Sequence, residues 1–96
     1  MTKIDVAKVS AEEFQVCVSD SKTERSFQVT LKKTDYDRIA GGKVEPAELI
    51  RRSFEFLLEN EPKESILVRF DLPIIGRYFP DYEREMKRRL AAKSGP

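Results

Sequence analysis

The chain has 96 residues, enough for one domain with a single modest hydrophobic core. Its 18 basic and 17 acidic side chains leave a formal net charge of +1, too balanced to indicate nucleic acid or acidic lipid without a local patch. With no histidine and one cysteine, the sequence excludes a Ser-His-Asp or Cys-His catalytic arrangement and a disulfide framework within these residues.

Two strands are predicted where apolar and polar residues alternate, over 13–19 and again over 26–32. We expect them to form an antiparallel hairpin closed by a loop at 21–24. If the apolar sets share one buried face, the expected pairs are Val18–Phe27, Val16–Val29 and Phe14–Leu31.

The segment before this hairpin has two interpretations. Residues 1–12 form either a flexible terminus or an additional edge strand. A lone pair of strands has two open edges and is only marginally stable. We therefore expect one edge to be covered, either by residues 4–9 or by another chain.

A short helix and then a long helix are predicted after the hairpin. Thr34 is the expected N-cap of the short helix, and Gly41-Gly42 is expected to end it, because glycine readily adopts the left-handed conformation found at helix ends. Pro46 suits the first turn of the long helix, which continues to Asn60. The apolar face of this helix is wide, so we expect the hairpin to cover one side and the downstream segments the other.

Shorter elements are predicted beyond Pro62. Residues 62–70 favour a short helix, with a strand over 65–70 as the alternative. Asp71 is the expected N-cap of a further short helix, and Pro80 separates that helix from an amphipathic one over 81–93. Residues 94–96 are expected to fray.

The whole pattern predicts an α+β fold in a single domain over residues 1–96. An antiparallel β-hairpin packs on a central helix, several short helices surround it, and an amphipathic helix ends the chain. No apolar run is long enough to span a membrane, and the first residues do not resemble a signal peptide. We therefore expect a cytoplasmic protein that does not bind a membrane.

One stretch resembles a known family. The segments SFEFLLENEPKESIL, beginning at Ser53, and FDLPIIGRYFPDYE, beginning at Phe70, are similar to a phrase in small bacterial proteins of an uncharacterised family. In those proteins a hairpin also precedes the phrase. The resemblance covers residues 53–83, and it implies no activity and no catalytic residues.

Two surfaces are candidate binding sites. Aromatic side chains surround Pro80, and with the apolar stripe of the last helix they are predicted to bind a protein partner or a second copy of the chain. The residues concerned are Tyr78, Phe79, Tyr82 and Met86. The basic side chains of the last helix are the alternative, as phosphate contacts to nucleic acid; they are Arg84, Lys87, Arg88 and Arg89.

The functional hypothesis is therefore a non-enzymatic protein–protein interaction module. The alternative is a nucleic-acid-binding accessory protein. We expect no catalytic residue, no cofactor and no metal. Cys17 is interpreted as a half-buried strand residue rather than a nucleophile, because a reactive thiolate needs a cationic or imidazole neighbour.

Overall fold

Alternating apolar residues place one face of a four-stranded sheet in the core. The computed structural model describes the backbone of residues 2–94 and the side chains of residues 2–91. The strands are β1 (Lys3–Lys8), β2 (Glu13–Ser19), β3 (Glu24–Thr30) and β4 (Arg69–Asp71), and they lie in the order β1-β2-β3-β4. The first three are antiparallel, and β4 runs parallel to β3.

Four α-helices and two 3₁₀ turns within residues 2–94 complete the α+β fold, as predicted. The helices are α1 (Lys33–Ile39), α2 (Pro46–Asn60), α3 (Ile75–Tyr78) and α4 (Tyr82–Ser94), and the 3₁₀ turns are Lys63–Ser65 and Leu72–Ile74. No helix of the described residues is long and apolar enough to cross a membrane.

The N-terminal segment forms the edge strand that was one of its two interpretations. β1 pairs with β2, so that Ile4 lies opposite Val18 and Val6 opposite Val16. These side chains share the buried face of the sheet and extend the core beyond the hairpin. Met1, and the last two residues of the segment expected to fray at 94–96, lie outside the described residues.

The hairpin of β2 and β3 is confirmed, but the predicted register is wrong by two residues. Val16 lies opposite Phe27, and Phe14 opposite Val29. A shift of two residues keeps the same side chains on the buried face, so the alternation did not distinguish the two registers. The turn decides between them, because Asp20 Oδ1 accepts hydrogen bonds from the N–H groups of Lys22 and Thr23, each 2.8 Å long.

α1 begins earlier than predicted. The N-cap position is Lys32 rather than Thr34, and its own side chain makes no capping bond. Glu12, in the loop between β1 and β2, accepts a hydrogen bond of 3.2 Å from Lys33 N–H and so satisfies a free donor of the first turn. The predicted end is confirmed, since Gly41 has φ 57° and Gly42 has φ 79°.

α2 is the central helix, and its predicted position between two layers is confirmed. Pro46 occupies the first turn. On one side the ring of Phe54 lies 5.2 Å from that of Phe27 in the sheet. On the other side the ring of Phe56 lies 5.7 Å from that of Tyr82 in α4. The fully or nearly buried apolar residues of α2 are Leu49, Ile50, Phe54, Phe56 and Leu57.

The helix predicted over 62–70 is wrong. Within this segment only Lys63–Ser65 is helical, as a 3₁₀ turn. Arg69–Asp71 forms β4. The strand alternative is therefore correct for the last part of the segment. β3 has a free edge at this point, and its Gln28 N–H donates a hydrogen bond of 2.7 Å to Val68 O. Helix formation resumes directly after Asp71, although the Asp71 side chain makes no capping bond.

Candidate protein-binding groove

An open groove of about 380 Å³ lies beside β4, where the C-terminal end of α2 meets α3. Its floor is formed by the buried side chains of Ile66, Phe70 and Ile75. Leu67 and Tyr78 stand at its rim, with 50% and 65% of their surface exposed. The groove is thus a concave apolar surface with large apolar side chains in water at its border.

Two of the large exposed apolar side chains border this groove. The large hydrophobic residues exposed among the described residues are Val9, Leu67, Val68 and Tyr78. Leu67 and Tyr78 line the groove, whereas Val9 and Val68 line a separate depression beside β4. Exposed apolar side chains around an apolar concave surface are typical of a binding site.

Two of the four residues predicted to bind a partner do lie at the groove. Tyr78 lies at the rim, and Phe79 is half-buried in the lining. The ring of Phe79 packs edge-on against that of Phe56, with the centroids 5.7 Å apart. This contact fixes the end of α3 against the central helix and so positions the Tyr78 rim.

The predicted exposure of the other two residues is wrong. Tyr82 and Met86 have 0% of their surface exposed. Their stripe packs on α2 rather than on a second chain, and the Tyr82 hydroxyl lies 2.6 Å from Ser53 Oγ. Burial raises the pKa of the Tyr82 phenol well above its ordinary value, so this group stays protonated. In this fold neither side chain is available for direct contact with a partner.

Ion pairs flank the narrow apolar stripe of α4 and connect this helix to α1 and α2. The guanidinium of Arg89 in α4 makes two hydrogen bonds to Glu59 in α2, of 2.6 and 2.9 Å. Its Cζ also lies 5.6 Å from the centre of the Phe56 ring. Arg38 in α1 makes two bonds to Glu83 in α4, of 2.9 and 3.2 Å. Bidentate pairs of this kind fix the orientation as well as the distance of the helices.

The predicted phosphate-binding residues fall into two pairs. Arg88 and Arg89 both bind Glu85, and they lower the pKa of that carboxyl to about 2. Arg84 and Lys87 are exposed and form no ion pair with the described side chains. Two of the four cations are therefore already neutralised within the chain, and two are available.

Cys17 lies on the solvent side of β2 and is half-buried, as expected. Its Sγ lies 3.1 Å from Glu24 Oε2. The hydrogen bond to this carboxylate raises the pKa of the thiol, which disfavours the nucleophilic thiolate. Among the described residues, no group of three acidic, cysteine or histidine side chains could hold a metal ion.

A nearly buried lysine ties the groove to the hairpin turn. Lys63, in the 3₁₀ turn beside the groove, has 8% of its surface exposed. Its Nζ lies 2.6 Å from Asp20 Oδ2 and 3.2 Å from Glu64 Oε2. The bond to Asp20 raises the pKa of Lys63, and the same bond lowers the pKa of Asp20 far below its ordinary range. This ion pair attaches the segment that leads to Leu67 to the turn between β2 and β3.

The groove also contains residues that the sequence reasoning missed. Leu67 and Ile74 were assigned to short helices, and neither was singled out as a binding residue. The available signal was the run Ile66-Leu67-Val68, where apolar residues occur on both faces of a segment at the edge of a sheet. Residues of α3 line the same groove as Ile66 and Leu67. Their proximity depends on tertiary packing, which the local sequence pattern does not encode.

Comparison of the chain with protein-family models, with curated proteins and with solved structures gave no match. The resemblance of residues 53–83 to an uncharacterised bacterial family therefore stays a prediction.

Proposed function

We propose that this chain is a non-enzymatic protein-binding module whose groove takes an apolar segment of a partner protein. The observation that supports this most directly is the exposure of Leu67 and Tyr78 on the rim of a groove with an apolar floor. Side chains that anchor protein interfaces typically enter such pockets, and tyrosine is enriched around them. Removal of both rim side chains from water would contribute favourably to the free energy of binding.

The lining has little capacity for chemistry. Its polar groups are the Glu61 carboxylate and the hydroxyls of Ser65 and Tyr78, and the other side chains that line it are apolar. A hydroxyl nucleophile requires a positioned base within hydrogen-bond reach, and Ser65 makes no side-chain hydrogen bond to any described residue. This composition supports binding of an apolar side chain better than it supports acyl or phosphoryl transfer.

A photo-crosslinking amino acid placed at position 78 tests the proposal in the native cell. We expect it to form a covalent adduct with a partner protein, because position 78 borders the groove. The adduct should disappear when Leu67→Ser is added, since that change removes the other large exposed apolar side chain of the groove. The measurement is the mass of the adduct after irradiation and affinity purification.

The matched control is the same amino acid at position 9. Val9 is as exposed as the rim residues, at 61%, but it does not line the groove. The proposal requires an adduct that forms at 78 and not at 9. Equal labelling at both positions, no adduct at 78, or an adduct insensitive to Leu67→Ser would each contradict it.

Nucleic-acid binding is the second candidate, and one observation supports it. Arg84 and Lys87 lie three residues apart on α4, which places them on the same side of the helix, and both are exposed without an ion pair to the described side chains. Two cations provide a weaker electrostatic footprint than the predicted four. We also propose a cytoplasmic location, which the free thiol of Cys17 supports because cytoplasmic thiols stay reduced.

A further inference from the structure

β4 has an open edge whose backbone polar groups point outward. It is the last strand of the sheet, so no strand formed by residues 2–94 lies on its other side. Gln28 N–H donates to Val68 O, which directs the polar groups of Val68 towards β3. Because these groups alternate in direction along a strand, the N–H and C=O of Arg69 point away from β3. The edge is therefore able to accept another strand.

The side chains of β4 carry a self-complementary charge pattern. Arg69 and Asp71 lie on the same, exposed face of the strand, with Phe70 between them on the buried face. The Arg69 guanidinium donates one hydrogen bond, of 3.1 Å, to Gln28. Neither Arg69 nor Asp71 forms an ion pair with the described side chains. The strand thus presents one free cation and one free anion, separated by two positions.

We propose that a second copy of the chain pairs with β4 in antiparallel orientation, about a two-fold axis at Phe70. In this register Arg69 lies opposite Asp71 of the second copy, and Asp71 opposite Arg69. Antiparallel pairing keeps the exposed faces of both sheets on the same side, so the two pairs of opposite charges meet. The result is one continuous sheet of eight strands with the same contact made twice.

The residues preceding β4 are exposed apolar side chains that lie next to the proposed contact. Leu67 and Val68 have 50% and 52% of their surface exposed, although they are large and apolar. Leu72 is fully buried and begins a 3₁₀ turn, so the paired strands end at Asp71, and Leu67 and Val68 lie at the border of the contact. Burial of apolar side chains at that border would add to the backbone bonds of a strand of only three residues.

Exchange of the two charges tests the pairing. We expect the wild-type chain to sediment at twice its mass of 11.1 kDa. Arg69→Asp alone, or Asp71→Arg alone, puts like charges opposite each other and should weaken the dimer by roughly tenfold or more. The double variant Arg69→Asp/Asp71→Arg restores the opposite charges and should restore the dimer. Circular dichroism checks that each variant is folded.

Tyr78→Ser separates this proposal from that of a groove partner. Tyr78 lines the groove but is not part of β4, so the dimer should persist in this variant, while affinity purification of the variant should no longer recover the groove partner that the wild type recovers. A wild-type chain that stays monomeric at every accessible concentration overturns the dimer. Single variants that dimerise like the wild type, or a double variant that does not recover, overturn the register.

Discussion

The hydroxyl groups of Ser53 on α2 and Tyr82 on α4 lie 2.6 Å apart, and both residues have 0% of their surface exposed. Ser53 Oγ also lies 2.8 Å from Leu49 O, to which it donates. A serine hydroxyl has a single proton, so the Tyr82 hydroxyl is the donor in the bond between the two side chains. This buried chain of hydrogen bonds joins the last helix to the central one.

The two ends of this bond should respond unequally to mutation. Tyr82→Phe removes the donor but leaves Ser53 bonded to Leu49, so we expect a loss of about 1 kcal/mol in the free energy of unfolding. Ser53→Ala leaves a buried phenol without its acceptor, and the expected loss is larger, about 1–3 kcal/mol. Urea unfolding followed by circular dichroism measures both values.

Tyr78→Phe is the matched control, because it removes the same hydroxyl from a ring that is 65% exposed. Its free energy of unfolding should equal that of the wild type. The assigned direction of the bond is wrong if Ser53→Ala costs no more than Tyr82→Phe. The double variant should cost less than the sum of the two single variants, since both act on one bond.

This bond also illustrates how far the sequence determines the site. The apolar periodicity correctly placed Ser53 on the buried arc of α2 and Tyr82 on the apolar stripe of α4. It did not show that these two surfaces meet. Tyr82 was therefore interpreted as a candidate contact for a partner, although α4 uses it to pack within the chain.

β4 shows a second limit, and it concerns the groove directly. The segment 66–70 satisfied a helical spacing through Ile66, Leu67 and Phe70, and the helix was preferred. The end of the segment pairs with the free edge of β3 instead, and Val29 lies next to Phe70 in the sheet. Pairing between positions so distant in the chain is not contained in local propensity. The groove beside β4 was unpredictable for the same reason.

Asp20 and Lys63 should make stability depend on pH in the acid range. The folded pKa of Asp20 lies below its unfolded value of about 4. The pair therefore stabilises the fold fully above that value, and the contribution is lost as the pH falls below it. We expect Asp20→Asn to lower the free energy of unfolding at pH 7, and the difference from the wild type to shrink towards pH 3.

Lys63→Met should show the same convergence, because it removes the other partner of the pair. Lys22→Met serves as the control, since Lys22 is an exposed lysine of the same turn that forms no ion pair with a described side chain. Its stability should follow that of the wild type at both pH values. A deficit of Asp20→Asn that is as large at pH 3 as at pH 7 would show that the ion pair is not its cause.

Gly41 should tolerate a side chain poorly because of its backbone conformation. Its φ of 57° is left-handed, and an added Cβ would lie 3.7 Å from Asp37 O, an ordinary contact. The cost of Gly41→Ala therefore comes from the backbone conformation alone, and we expect about 1–2 kcal/mol. Gly76→Ala is the control, because Gly76 lies in α3 with nothing within 4 Å of an added Cβ. Thermal or urea unfolding should show that variant to be at least as stable as the wild type.

Alanine variants of Arg89 and Arg84 should distinguish a structural role of the basic residues on α4 from a role in binding. Arg89→Ala removes two bonds to Glu59 and the contact with the Phe56 ring, and we expect a loss of about 1 kcal/mol in the free energy of unfolding. Arg84→Ala removes an exposed side chain that forms no ion pair with residues 2–91, and it should leave stability unchanged.

The same two variants test the nucleic-acid candidate in a gel-shift assay at low salt. If the free cations of α4 bind phosphates, Arg84→Ala weakens the complex and reduces its dependence on salt, because fewer counterions are released. Arg89→Ala should leave that binding unchanged under conditions in which the variant stays folded, since its guanidinium is already held by Glu59 and Glu85. The reverse order of effects would mean that Arg89 leaves its carboxylates to bind, which contradicts the structural role assigned to it here.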